Sequence, residues 1–193
     1  MDYDPKTALL VVDVQNDFAD PGGSLYVAGG EDVVPVANRE IQEARGAGAT
    51  VIYTQDWHPP HTPHFQKDGG MWPVHCVQGT WGAAFHPDLQ VVGEVIHKGT
   101  GGEDGYSGFT VRDPVSGDER GTKLEALLRE HHIERVVIVG LATDYCVKDT
   151  SLDALDLGFT VDVLGEGVRA VDLTAGDGDR ALEAIIERGG HIR

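Results

Sequence analysis

Apolar residues along the chain fall into two alternating patterns. Short runs rich in β-branched residues, at 8–14, 50–55, 91–97, 136–140 and 160–164, predict five strands. Between them, apolar positions recur every three or four residues at 33–47, 122–131, 144–157 and 179–188, the spacing of helices that bury one face. Gly158 and Gly189 stand just past two of these, where a glycine readily closes a helix. Strands that alternate with helices predict an α/β fold, a three-layer, open, mostly parallel sheet with helices on both faces. After the last helix only His191, Ile192 and Arg193 follow, so a sixth strand has room for very few residues.

One region breaks the alternation. Residues 56–89 hold Pro59, Pro60, Pro63, Pro73 and Pro87 and show no period, and a loop of that length in a compact domain usually carries function. No repeat, linker or low-complexity tract interrupts the rest, so residues 1–193 are expected to form a single domain. The longest apolar runs, 8–12 and 136–142, fall far short of the ~20 residues that span a bilayer. Residues 1–5 are acidic and lack the basic and apolar regions of a secretory signal, which suggests a cytoplasmic location.

Charge narrows the partners. The 32 acidic and 15 basic side chains leave a net charge of -17, and such a surface repels phosphate backbones and anionic lipid. Neither a nucleic acid nor a membrane is therefore expected as a partner, while a small molecule and a homo-oligomer are compatible with the pattern. The two cysteines, Cys76 and Cys146, are expected as free thiols. A chain of this length buries enough surface to fold without a metal, so a metal here would serve chemistry.

Phosphate-loop, His-Glu-x-x-His, Gly-x-Ser-x-Gly and dinucleotide-binding glycine signatures are absent, and the run Gly99–Gly102 leads into no predicted helix and reads as a flexible loop. In an open parallel sheet, ligands bind beyond the carboxyl ends of the strands. Four reactive side chains stand there: Asp13, Asp56, Lys98 and Cys146. Singly, each has an ordinary structural explanation; their convergence on one rim is what points to chemistry. Thr143 and Asp144 offer capping side chains, which would put Cys146 in a first helical turn where the dipole favours a thiolate. Asp13 would then accept the thiol proton and Lys98 would steady the anions.

Histidine is the second signal. Four of the nine, His58, His61, His64 and His75, fall within residues 58–75. With Asp56 they offer one hard oxygen and several imidazole nitrogens, a mixture that suits zinc, iron(II) or manganese.

Several segments together resemble a known family. Asp13-Val14-Gln15-Asn16-Asp17-Phe18, Asp56-Trp57-His58-Pro59, the stretch from Trp72 to Thr80, Lys98-Gly99, Tyr106-Ser107-Gly108-Phe109 and the stretch from Gly140 to Val147 are similar to the nicotinamidases and pyrazinamidases among the isochorismatase-like cysteine hydrolases. The resemblance implies a Rossmann-like, isochorismatase-like fold and hydrolysis of nicotinamide, with pyrazinamide as a further substrate, in NAD salvage. It also implies a catalytic triad of Asp13, Lys98 and Cys146. The metal ligands would be Asp56, His58, His64 and His75, with His64 preferred to His61 by the family's spacing. Zinc is the first expectation for that ion, with no organic cofactor. The backbone N–H groups of Ala142 and Cys146 would form an oxyanion hole, beside a cis peptide between Leu141 and Ala142. Phe18, Trp72, Tyr106 and Tyr145 would line the substrate pocket.

Three rivals remain. A sibling amidohydrolase acting on a carbamoyl or ureido compound would keep the triad without needing a ring pocket. A hydrolase whose nucleophile is metal-bound water would make Cys146 a bystander. A non-catalytic metal- or ligand-binding domain would leave the convergence of Asp13, Lys98 and Cys146 unexplained.

Overall fold

The computed structural model describes residues 1–193. Its centre is a sheet of six parallel strands: β1 (Thr7–Val12), β2 (Thr50–Asp56), β3 (Glu94–Lys98), β6 (Arg135–Leu141), β7 (Thr160–Arg169) and β8 (His191–Ile192). They lie in the order β3-β2-β1-β6-β7-β8, and every neighbouring pair is parallel. A separate antiparallel hairpin joins β4 (Thr110–Arg112) to β5 (Glu119–Gly121). The helices are α1 (Asn16–Ala19), α2 (Val33–Gly46), α3 (Leu124–Glu130), α4 (Lys148–Asp156) and α5 (Asp177–Glu187).

The central strands are apolar throughout because both faces of the sheet are covered. Leu9 and Val11 face one side and pack with Val33, Ala37, Ile41 and Ala44 of α2. Ala8, Leu10 and Val12 face the other side, against Leu124 and Leu128 of α3, Ala154 of α4 and Ile185 of α5. Each fully buried Val, Leu or Ile side chain in these two layers contributes about 1.5–3 kcal/mol relative to exposure. None of the helices is long and apolar enough to cross a membrane.

The three-layer parallel sheet is as expected, and the very short sixth strand exists: His191 and Ile192 pair with Asp162 and Val163. Several boundaries differ. The third strand begins at Glu94, and Val91 and Val92 before it are 44% and 45% exposed. At Gly93 there, a Cβ would collide with Val51 O, so only glycine lets the chain pass this close to β2. The seventh strand runs on to Arg169, because an irregularity between Ile138 and Gly140 restores pairing of Val168 with Gly140 and Arg169 with Leu141. Gly140 sits at φ 129°, and a Cβ there would collide with Val12 O, so only glycine lets β6 approach β1 this closely.

The helix expected from residue 144 starts earlier and differently. Thr143–Val147 form a π-helical turn that leads into α4, and no side chain caps it. Thr143 and Asp144 are therefore not the caps their residue types suggested. The Asp144 carboxylate instead accepts the N–H groups of Val171 and Asp172, both at 2.9 Å.

Candidate active site

The carboxyl ends of β1, β2, β3 and β6 bring four side chains to one place. Asp56 and Lys98 are the last residues of their strands, and Asp13 follows β1 with φ 49°, which turns the chain out of the sheet. Cys146 lies in the π-helical turn after β6 and is 7% exposed. The buried Lys98 ammonium stands among the others: Nζ donates to Asp13 Oδ2 at 2.7 Å and lies 3.0 Å from Asp56 Oδ1 and 3.5 Å from Cys146 Sγ. It also donates to the backbone oxygens of Gly105 and Tyr106. Asp13 Oδ1 accepts from the Thr54 hydroxyl at 2.7 Å. Gln15 clamps Asp56, accepting its N–H and donating to its carbonyl oxygen, both at 2.8 Å.

Burial raises the Asp13 carboxyl above the ordinary carboxylate range, against the pull of Lys98, and so brings it nearer to the protonation state of a proton carrier. Burial also pushes the Cys146 thiol well up; Lys98 opposes this, and the carboxylates of Asp13 and Asp56 add to it. The helix end is therefore not the only influence on this sulfur: burial and the two carboxylates work against a thiolate, and Lys98 works for one. Lys98 stays charged, because the anions of Asp13 and Asp56 outweigh its desolvation.

The histidines form a second cluster against the first. One ligand atom each of His58, His64 and His75 lies within 4.8 Å of the other two, and all three residues are buried. Asp56 Oδ2 lies 3.7 Å from His58 Nε2 and 3.9 Å from His75 Nε2. Both ring nitrogens of His58 are buried without a hydrogen-bond partner, as is Asp56 Oδ1, which Lys98 approaches off the hydrogen-bonding direction. Leaving such groups unsatisfied costs about 1–3 kcal/mol each, so the donor set fits a divalent cation that all four residues would face. His75 donates Nδ1–H to Pro73 O at 2.7 Å, which keeps its Nε2 lone pair inward, and burial lowers its pKa to about 4. Asp56 is desolvated too, yet Lys98 and the imidazoles of His58 and His75 hold its carboxyl well below the usual range. His61 is not in the cluster: its side chain is 77% exposed and sits 3.3 Å from Asp68.

A second set of potential metal-binding groups, Asp13, Asp56 and Cys146, also has its atoms within 4.8 Å of one another. There the cation is Lys98 itself. Gly99, at φ 69°, lies flat against the His58 ring, where a Cβ would come within 2.5 Å of Cε1.

An apolar pocket opens onto both clusters. Phe18, Trp72, Tyr106, Tyr145, Ala142 and Cys146 line it, together with Asp56, His64 and His75. Trp72 meets Tyr145 edge-on at 4.9 Å, and its Nε1–H donates to the Tyr106 hydroxyl at 2.8 Å. Burial pushes that hydroxyl up to about 12, so it remains neutral. The Leu141–Ala142 peptide is cis. Cys76 is fully buried, and desolvation and the nearby carboxylates of Asp56 and Asp17 push its thiol well up, which disfavours the nucleophilic thiolate.

Part of the lining carries no mark in the sequence. Leu25, Val27 and Val171 also face the pocket, from irregular segments where an isolated apolar residue gives no periodic signal. Asp104, whose Oδ1 lies 2.5 Å from His64 Nδ1, is likewise unmarked. The run Gly99–Gly102 is not free: Gly102 N–H donates to Gly99 O at 3.1 Å, Thr62 Oγ1 donates to Gly102 O at 2.6 Å, and Gly101 N–H donates to Glu103 at 2.8 Å.

The chain is similar to characterised proteins over nearly its whole length. It is 43% identical to the nicotinamidase of Escherichia coli (strain K12), with 92% of this chain and 90% of that protein aligned. The zinc complex of the pyrazinamidase of Pyrococcus horikoshii superposes with a TM-score of 0.87 at 42% identity, covering 98% of this chain and 99% of that one. PnC1 of L. infantum, solved with nicotinate, superposes with a TM-score of 0.89 at 34% identity, covering 100% and 95%. Residues 7–193 match the Isochorismatase domain, and with these relatives the match shows that the chain belongs to that family.

Proposed function

We propose that this protein is a metal-dependent cysteine amidohydrolase that converts nicotinamide, and also pyrazinamide, to the acid and ammonia, as a step in NAD salvage. The observation that carries the reading is one apolar, aromatic pocket lined both by Cys146 of the thiol–carboxyl–ammonium cluster and by His64 and His75 of the buried three-histidine cluster. The working unit is residues 1–193 as one hydrolase domain, with its metal-binding loop at 56–89. Asp56, His58, His64 and His75 would hold the ion, zinc in the first place, with iron(II) or manganese suited to the same donors. When bound, the ion supplies a Lewis-acidic anchor for a ring nitrogen.

The side chains of Phe18, Trp72 and Tyr106 hold the flat ring, with Tyr145 beside the nucleophile, and exclude water from it. This sets the carboxamide carbon over Cys146 Sγ. Asp13 takes the thiol proton as the sulfur–carbon bond forms, and the carbonyl electrons move onto oxygen. The N–H groups of Ala142 and Cys146 receive that oxyanion. Collapse breaks the carbon–nitrogen bond while Asp13 gives its proton to the nitrogen, and ammonia leaves. Water then attacks the thioester, Asp13 takes one of its protons, and the acid departs as the thiol is restored. Lys98 keeps the cluster's anions tolerable throughout.

The test is a comparison of amides. With metal-loaded protein, nicotinamide and pyrazinamide are expected to be good substrates and benzamide a poor one, since benzamide has the same shape without a ring nitrogen and loses the positioning that makes attack nearly unimolecular. Ammonia release measures it. Benzamide turned over as well as nicotinamide, or a ureido compound preferred to both, would replace this reading with the sibling amidohydrolase.

A second expectation concerns the ligands. Alanine at Asp56, His58, His64 or His75 should lower the metal content, while His61→Ala should leave it unchanged because His61 faces solvent. Elemental analysis of the purified variants decides it, and equal losses at His61 and His64 would refute the assignment.

A further inference from the structure

His64 differs from the other two buried histidines in what stands behind it. Its Nδ1 lies 2.5 Å from Asp104 Oδ1, in direct hydrogen-bonding contact with a carboxylate. An ionised carboxylate only accepts, so Nδ1 carries the proton and Nε2 keeps its lone pair. Behind His75 stands only a peptide oxygen, Pro73 O, and His58 has no partner at either nitrogen. The His64 ring is stacked on His58 at 4.8 Å and lies 5.3 Å from His75, and one of its nitrogens lies within 4.8 Å of a ring nitrogen of each.

Asp104 is itself held in place. Its N–H donates to Arg112 O at 2.7 Å and its carbonyl accepts from Arg112 N–H at 3.0 Å, which ties it to β4. The adjacent Glu103 accepts from Gly101 N–H and pairs with Arg120 of β5. The two strands of the hairpin therefore each grip one of two neighbouring acidic residues, and the loop between Lys98 and Tyr106 is fixed from outside the sheet.

We propose that Asp104 is a positioning residue of the metal centre: its carboxylate fixes the tautomer and the direction of His64 and strengthens that ring as a donor, and the β4–β5 hairpin is the brace that sets Asp104 in place. The inference rests on the assignment of His64 as a ligand, and a carboxylate behind a ligating imidazole is the arrangement that most directly raises its basicity.

The test measures binding of the ion, not turnover. Wild-type protein and the Asp104→Ala, Asp104→Asn and His64→Ala variants are stripped of metal and titrated with zinc against a competing chelator. Parallel samples loaded with cobalt(II) are read by visible absorption, which reports the geometry around the ion. Asp104→Ala is expected to bind zinc about 10- to 100-fold more weakly and to shift the cobalt bands. Asp104→Asn, which keeps an acceptor for Nδ1–H but lacks the charge, is expected to lose less affinity and to keep the wild-type spectrum. The thermal midpoints of the metal-free variants should match that of wild type, which a purely structural role for Asp104 would not allow.

An Asp104→Ala protein that binds zinc as tightly as wild type, with an unchanged cobalt spectrum, overturns the proposal. If the alanine variant does not fold, the asparagine variant decides in its place: undiminished zinc affinity there overturns the proposal equally. The His64→Ala variant separates the two levels: if it binds zinc like wild type, the ligand assignment itself is wrong, and if it alone binds weakly, only the role of Asp104 falls.

Discussion

Cys146→Ala is expected to abolish ammonia release from nicotinamide, by about 10³-fold or more, with metal content and fold retained. Cys146 lies in a turn whose backbone is fixed by Tyr145 and Val147 N–H groups bonded to Ala142 O, both at 3.1 Å, and neither bond involves the sulfur. Alanine therefore removes the nucleophile and little else. Cys146→Ser should be nearly as inactive, because a hydroxyl is much less acidic than a thiol and the Asp13 carboxyl is a weak base for it. Substantial turnover by the alanine variant would show that a metal-activated water does the chemistry.

Lys98→Met has the next largest effect, and on two properties at once. It leaves the carboxylates of Asp13 and Asp56 buried together without their common cation, and removing one partner of a buried ion pair costs about 3–5 kcal/mol. Turnover should fall at least ~10²-fold, and the denaturation midpoint should drop. The thiol offers a finer check with a definite sign. Lys98 pulls the Cys146 pKa down, and Asp13 pushes it up. At neutral pH, iodoacetamide should therefore label Cys146 more slowly in Lys98→Met and faster in Asp13→Asn. Rates that moved together, or not at all, would mean that the turn and not the ion cluster sets the thiol.

The parallel sheet could be read from the chain because its inner strands are covered on both faces and so consist of unbroken apolar runs, as in residues 8–12. The hairpin could not: residues 110–112 and 119–121 are half-exposed or exposed, and Val111 is the single apolar residue among them, too little to show a period. The short helix Asn16–Ala19 is a single turn, below the length at which a helical period is visible. Strand ends gave away Asp13, Asp56, Lys98 and Cys146, since the topology alone sends them to one rim. Histidine density marked the loop but did not separate His61 from His64. That distinction is one of burial: His64 packs beside Phe65 and is backed by Asp104, forty residues further along the chain, while His61 faces solvent. The apparent caps Thr143 and Asp144 misled for a related reason: a carboxylate near a helix start serves whichever N–H groups tertiary packing brings to it, here those of Val171 and Asp172.

Asp144 is two residues from Cys146 in the chain, and through its carboxylate it holds the segment that carries Val171. Val171, Leu25 and Val27 shape the cavity from irregular segments, while Asp13, Asp56 and Lys98 are rooted in strands or at their ends. Part of the width is thus encoded apart from the chemistry, by these three aliphatic side chains. A smaller side chain at position 171 or 27 would enlarge the cavity without displacing the thiol or its proton carrier, so bulkier aromatic amides could be admitted by single changes in the lining. The scaffold is in this sense adaptable: the lining offers aliphatic positions that carry none of the reacting groups.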